Sequence, residues 1–527
     1  MMTKKKYSEV TVGQKPVTLI ERMEFSPWPK SCVYKKNYFA FPKNISLSGF
    51  TSKDRRAQDT LCNFLETLPG VQFNGYEKSW QISFIPCTKK MSVEAYTLET
   101  GKAGAVISAA SPSGLFYGIQ TLIQILGCSW NAELILGSRT AAEPDAVNKK
   151  WIPSLFIDDA PQYNLRSFLV DPGRAPFTMP LLKRVIRIMA HLKLNMLHLH
   201  AYDDQLCGLR FYKLPLGSEN PYALTLESVR TLIEYARGYH ITVMPEIESW
   251  GHAQSVIYHF PETYGSPGMW GGMSFGIGKV TYDLLKKIYD EIVEILEPSA
   301  FLHVGLDEAR WAMLHGEKKE NHSPTTLVDK IYSLVMSVAK KHKKHVTMHL
   351  WADHGGRHLS EKIAGKVVIQ PWKYRQSDEA AIIEDLKKYG GDGKTPCMMG
   401  AGWSSIHLQG SYEATRIWAA EGMKYPNIIG ITNCMWESND LSGQMAGFYG
   451  GAGYSWNPSK PEGTKEDPLR EDVRCFLLKR MQHWQAYFPD ADPAAVNLDR
   501  GEQVFQGRYV YGPHKGKPIA PTVDWKI

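Results

Sequence analysis

No stretch of the sequence approaches the ~18 consecutive apolar residues of a membrane span. No apolar run stands behind the basic start "MMTKKKYSEVTVGQ" either, as a secretory signal would require. The first absence argues against a membrane-spanning helix, and the second sets the expectation of a soluble, cytoplasmic protein with no membrane partner. Eight cysteines (Cys32, Cys62, Cys87, Cys128, Cys207, Cys397, Cys434 and Cys475) include no CxxC pair and no metal-finger spacing. Zinc modules and dithiol redox motifs are thereby set aside, and reduced structural thiols are expected. A basic stripe is missing as well: the formal net charge is +7 over 527 residues, with lysines scattered over helix faces and tails. Nucleic acid is not an expected partner.

What is present is an ordinary globular composition, 43% hydrophobic and 22% charged, on a chain long enough for two or three domains. Fifteen tryptophans and twenty-six tyrosines supply flat faces that fill cores and also stack on sugar rings. In residues 1–150, "SVEAYTLETGKAGAVISAAS" reads as strand, glycine-containing turn and strand, and "SGLFYGIQTLIQIL" repeats its apolar residues at helical spacing. A small α+β domain is expected there. The polar segment "NAELILGSRTAAEPDAVNKKWIPS", with two prolines, reads as a linker.

From Leu165 the rhythm changes to a short apolar run followed by a helix-period stretch. The runs are "LRSFLVD", "MLHLHAYD", "TVMPEIE", "FLHVGLDE", "VTMHLWAD", "VVIQPWKY", "CMMGAGW" and "IIGITNCMWE". Something helical follows each, weakest near Leu359 after the fifth and ending with "VRCFLLKRMQHWQAYF" after the eighth. Eight such repeats predict an α/β fold, a (β/α)8 TIM barrel, over residues 151–490, with residues 491–527 as a C-terminal extension. An open doubly wound sheet would carry Gly-rich phosphate turns after its strands, and none is found.

Active sites in such barrels lie at the C-terminal ends of the strands. Those ends carry Asp171 and Arg174, Asp203 and Asp204, Glu248 and His252, Asp307 and Glu308, Trp351 and Asp353, Trp372 and Tyr374, Trp403, and Trp436 with Glu437. A pocket walled by Trp351, Trp372, Trp403 and Trp436 above polar groups suits a pyranose, with its apolar faces and hydroxylated edge. Acids on the same rim could deliver a proton to a glycosidic oxygen and face the oxocarbenium-like centre. The adjacent pair Asp307–Glu308 is expected to point two ways, because side chains alternate along a strand. The bland reading has one of them capping the next helix and the other solvated.

"HVGLDEA" resembles the H-x-G-G-D-E motif of glycoside hydrolase family 20, the β-N-acetylhexosaminidases. "FLVDPGR" looks like that family's L-D-x-S-R strand end, "MAHLKLNMLHLHAYDDQ" is similar to its K-L-N-x-x-H-W-H-x-x-D-D-Q segment, and "ITVMPEIESWGHA" to its P-E-I-D-x-P-G-H-A. "AASPSGLFYGIQTLIQIL" matches the closing helix of its N-terminal domain, and "GAGYSWNPS" resembles the segment after its last strand, so the resemblance covers roughly residues 85 to 460. It implies a retaining exo-hydrolase of terminal β-linked GlcNAc or GalNAc in which the substrate's own acetamide is the nucleophile. By position, Glu308 would be the general acid/base and Asp307 would hold the acetamide N–H. Arg174 would grip ring hydroxyls, Asp203 and His252 would support the acids, and His303 would orient its neighbours. The implied partner is a carbohydrate, with no cofactor and no metal.

The sequence also departs from that pattern. The family's tyrosine-containing strand is not visible in "CMMGAGWSSIH", where Trp403 is the one large residue with a polar tip; Tyr374 is the candidate substitute. Its W-x-E appears as Trp436–Glu437 with no spacer, and "LVDPGR" inserts a proline and has Gly173 where serine is usual. An atypical branch is expected. Two other readings compete. His198 and His200 could join Asp203 and Asp204 around a divalent metal, as in barrel amidohydrolases, although core histidines satisfied by backbone are the simpler expectation. Alternatively, the pocket could bind glycans without turnover.

Overall fold

The computed structural model describes residues 25–458 apart from Ser26, Pro69, 74–78, Thr88, Lys89, 131–150, 269–271, 310–322, 354–356, 392–394, Pro396, 404–410, Ser438, Asp440 and 442–444. The helix expected from "VRCFLLKRMQHWQAYF" and the extension 491–527 lie outside the described residues. The chain forms two compact units that part at Gln162–Tyr163.

The first unit holds a seven-stranded sheet: β1 (Ser31–Ala40), β2 (Asn44–Ser48), β3 (Gln72–Phe73), β4 (Trp80–Pro86), β5 (Tyr96–Gly101), β6 (Gly104–Ala109) and β7 (Trp151–Asp159). Their order is β1-β7-β5-β6-β4-β2-β3. The expected strand–turn–strand is the antiparallel pair β5–β6. In β5 the residues Tyr96, Leu98 and Thr100 are buried, alternating with more exposed Thr97 and Glu99, the pattern of a strand with one face on a core. Helices α1 (Arg55–Glu66) and α2 (Pro112–Trp130) complete the unit, α2 burying Leu115, Phe116, Ile119, Leu122 and Leu126.

The expected division at residue 150 shifts. Trp151–Asp159 is not the start of the barrel but an inner strand of this sheet, paired with β1 and β5. Proline and polar neighbours hide it in the sequence, yet Ile152, Leu155 and Ile157 are buried, and Pro153 stands beside the register shift between Tyr34 and Tyr38 where a strand tolerates it. The remainder of the expected linker, 131–150, lies outside the described residues.

The second unit is a closed parallel barrel of β8 (Leu165–Val170), β9 (Met196–His200), β10 (Thr242–Glu246), β11 (Ser299–His303), β12 (His345–Trp351), β13 (Val367–Gln370), β14 (Cys397–Trp403) and β15 (Ile428–Met435). Each strand pairs with the next in sequence, and β15 pairs with β8. All eight expected runs are these strands. Their continuous apolar character follows from burial on both faces; every residue of β9 is buried. Helices α3 (Met179–His191), α4 (Leu226–Arg237), α5 (Lys279–Ile295), α6 (Pro324–Lys341), α7 (Glu379–Gly390) and α8 (Ser411–Gly422) alternate with the strands, and α9 (Met445–Trp456) follows β15. Their starts are marked chemically: the Thr225 hydroxyl accepts from the Ser228 amide at α4, and the Ser323 hydroxyl accepts from the Thr326 amide ahead of Pro324 at α6. Between β12 and β13, where the helical signal is weakest, the described residues form turns and no helix.

Candidate active site

Strand β11 ends at His303, four residues before Asp307, and the chain then turns left-handed: φ is +66° at Gly305, +78° at Leu306 and +45° at Glu308. For residues other than glycine such backbone costs about 1–3 kcal/mol each and survives only where its surroundings enforce it. Glycine is required at 305 because a Cβ there would stand 2.0 Å from Oε2 of buried Glu248. The chain is fixed again by the Glu308 amide, which donates to Asp353 Oδ2 at 2.8 Å. The acids therefore lie beyond the strand, and pleat alternation does not separate them. Both face His252, whose Nε2 is 3.7 Å from Asp307 Oδ2 and 3.3 Å from Glu308 Oε2. The bland reading, a helix cap plus a solvated acid, does not fit carboxylates about 16% exposed on a shared histidine.

His252, itself at φ +49°, turns its other nitrogen to carboxylates: Nδ1 is 3.3 Å from Asp203 Oδ1 and 3.5 Å from Asp204 Oδ2. Burial works against its charge, but Asp203, Asp204 and Asp307 outweigh it and hold the imidazolium well above its usual range. Asp203 is held correspondingly low: burial opposes its charge, and Arg174 and His252 overcome it. Arg174 donates through one terminal nitrogen to Asp203 and through the other to Asp171 Oδ2 at 3.2 Å, with its guanidinium carbon 5.1 Å from the Trp436 ring centre. Gly173, the departure from serine, is explained by packing, since a Cβ would meet the backbone of Tyr202 and Asp203 at 2.7–2.8 Å. Asp307 is pushed up to about 7 by burial, with Asp353, Glu246 and Glu308 adding to it and His252 opposing.

Below this layer a single buried carboxylate, Glu246, gathers four side chains. Its oxygens lie 2.6 Å from His200 Nδ1, 3.0 Å from His198 Nε2 and 2.9 Å from His303 Nδ1, and the Trp351 indole donates to it at 2.6 Å. The simpler expectation for His198 and His200, satisfaction by backbone, is corrected: both pair with Glu246, and His200 Nε2 reaches Asp203 at 2.9 Å. Sequence reading missed Glu246 because proline and glutamate within a buried strand look like a strand end; the available signal was an acid flanked by apolar residues in "TVMPEIE". His303 lies between Glu246 and the Gly305 amide, which approaches its Nδ1 at 3.1 Å.

The aromatic side comes from the later strands. Trp351 is only 1% exposed and so forms floor rather than wall. Trp372 and Tyr374 are half-buried and stacked, with centroids 5.3 Å apart at 22°, and the Trp436 indole donates to the Tyr374 hydroxyl at 3.0 Å. The Tyr374 phenol is also hydrogen-bonded to the buried Cys434 thiol, a neighbour the sequence did not announce. Trp403 ends β14, and its side chain lies outside the described residues. Glu437 follows Trp436 without a spacer, but at φ +60° the chain turns back, and its amide donates to Asp171 Oδ2 at 2.9 Å. Its carboxyl is pushed up to about 7 by burial and by Asp171 and Asp203, against the pull of Arg174.

The chain has relatives among known proteins. Residues 163–388 match the model of the glycosyl hydrolase family 20 catalytic domain, and residues 23–160 match that of glycosyl hydrolase family 20 domain 2. The chain belongs to glycoside hydrolase family 20. A β-hexosaminidase of Porphyromonas gingivalis is 28% identical over 242 residues, 41% of this chain and 30% of that protein. The β-hexosaminidase subunit beta of Felis catus is 24% identical over 387 residues, 66% of this chain and 65% of that protein. In fold, a mutant Streptomyces plicatus β-hexosaminidase in complex with product (GlcNAc) superposes with a TM-score of 0.65 at 20% identity, covering 92% of this chain and 97% of that one. The matches span 30 to 46% of the length of the first bacterial relatives.

In this family 20 member, Arg174, Asp203, His252, Asp307 and Glu308 are brought together by the ends of β8 to β11, whereas Trp351, Trp372, Tyr374 and Trp436 come from β12, β13 and β15. Among the described residues, three donor groups have the spacing of a metal site: His198–Glu246–His303, His200–Glu246–Glu248 and Asp203–Asp204–His252. The amidohydrolase reading required His198, His200, Asp203 and Asp204 on one ion. They are divided among the three groups, and His200 commits both ring nitrogens to carboxylates.

Proposed function

We propose that this protein is a retaining exo-β-N-acetylhexosaminidase that removes terminal β-linked GlcNAc or GalNAc by substrate-assisted catalysis. The observation that carries this reading is the convergence of both adjacent acids on His252, backed by Asp203 and Arg174. Asp307 accepts the acetamide N–H, raising electron density on the carbonyl oxygen as it attacks the anomeric carbon. The glycosidic bond breaks as Glu308 gives its proton to the leaving oxygen. Glu308 then takes a proton from the water that opens the oxazolinium ring, and His252, positively charged and paired with Asp203, compensates the carboxylate that Glu308 becomes.

Arg174, with two of its five donors on Asp171 and Asp203, has others left for sugar hydroxyls, and Glu437 beside it takes the next hydroxyl. Trp351, Trp372, Trp403 and Trp436 enclose the acetamide and the sugar face. Tyr374, held by Trp436, turns its hydroxyl from the Cys434 thiol to the acetamide oxygen, in place of the tyrosine missing from β14. Thiols at Cys32, Cys62 and Cys207 support a reducing, cytoplasmic location.

The test is turnover of aryl N-acetyl-β-glucosaminide and its galactosaminide counterpart, alongside an aryl β-glucoside without the acetamide. Hydrolysis of the first two and a far lower rate on the third are expected; equal rates would refute acetamide participation, and binding without release would favour a silent glycan binder. Glu308→Gln should lower kcat by about 10²–10⁴ on unactivated glycosides, and by less where the leaving group needs no proton.

A further inference from the structure

A cavity of about 220 Å³ opens at Asp353, lined also by Arg357, Trp372, Lys373, Asp385 and Lys388 among others. It lies between the ends of β12 and β13 and the helix α7. Two of its residues also belong to the candidate active site: Asp353 accepts from the Glu308 amide, and Trp372 packs against the cluster of Trp351, Cys434 and Trp436. It is smaller than the roughly 300–1,000 Å³ of sites that enclose drug-sized ligands, so it suits one edge of one sugar.

The charges are unevenly placed. Asp385 pairs with Lys373 at 3.2 Å, and Asp353 is directed at the Glu308 amide. Arg357 and Lys388 are exposed and in no ion pair among the described residues; Lys388 lies 4.9 Å from the Tyr389 ring centre. The open end is therefore cationic.

Resting on the hydrolase reading above, we infer that this cavity receives the leaving-group sugar and selects one with an anionic substituent, a carboxylate or a sulfate. Glu308 protonates the glycosidic oxygen, so the leaving sugar must lie on its side of the pocket, and Asp353, which lines this cavity, holds the Glu308 backbone amide. The guanidinium fork of Arg357 matches a planar carboxylate, and the Lys388 ammonium serves as a point charge.

The test compares kcat/KM for GlcNAc β-linked to glucuronate, to glucose and to 6-O-sulfated glucose. Two exposed cations should give about fivefold preference for the charged leaving groups at low salt, fading at high salt. In the Arg357→Ala/Lys388→Ala double variant the charged-to-neutral ratio should fall to about one, and in Lys388→Glu below one; a merely structural defect would lower all three rates together. Preference shared by sulfate means that charge alone is read; preference confined to glucuronate assigns the reading to the Arg357 fork. Equal rates on all three, or a preference that survives the substitutions, overturns the inference and leaves the hydrolase reading standing. If none is cleaved, the hydrolase reading falls and this inference with it.

Discussion

Asp307 illustrates how burial sets the working pH of a single side chain. Its carboxyl is held up to about 7, so under the proposed mechanism it must lose a proton near neutrality before it can accept the acetamide N–H. The acid limb of kcat/KM should therefore fall near pH 7 rather than in the ordinary carboxylate range, and it should disappear in Asp307→Asn, whose residual rate is pH-independent there. The same shift has a stability consequence of definite sign. A carboxyl raised from 3.8 to about 7 contributes stability that is present below 3.8 and lost as the pH rises through 7. Asp307→Asn should thus gain melting temperature over the wild type at pH 8 more than at pH 4. Adjacency in sequence announced the pair; its geometry could not be read there, because the left-handed backbone at 305, 306 and 308 cancels the alternation rule on which that reading rested.

At the scale of elements, the turn after β11 is the most constrained. Gly305→Ala would add a left-handed alanine and drive its Cβ into the Glu248 carboxyl. A loss of at least ~1–3 kcal/mol is expected, with activity falling more steeply than the melting temperature, measured side by side. The barrel strands were readable because burial on both faces leaves continuous apolar runs, and α4 and α6 because a helix-period stretch follows such a run. Strand β7 was not, since Pro153 beside a bulge imitates a linker. Glu246 escaped notice for a related reason. A buried acid is intelligible only with its partners, and these come from three other strands, β9, β11 and β12, that no local pattern connects.

Across the whole molecule, stability against acid is set by opposing groups. His198 and His349 are buried and pushed down to about 4 and about 3, chiefly by burial. Their contribution is fully present above 6.5 and is lost as the pH falls through those values, while Asp307 and Glu437 work the other way. The histidine part is isolated by comparing wild type with His349→Gln: the difference in melting temperature should move in the variant's favour as the pH drops from 7 to 4. The arrangement of the barrel carries a further consequence. Charged groups that would act on the glycosidic bond follow β8 to β11, and the aromatic groups that would enclose the sugar follow β12, β13 and β15. Under the proposed mechanism one half-barrel would govern whether a bond is broken, and the other which substituent is held. Chimeras exchanging only the segment after β13, which leaves Asp353 and Glu437 in place, should shift toward the donor relative's sugar preference while keeping this protein's pH profile.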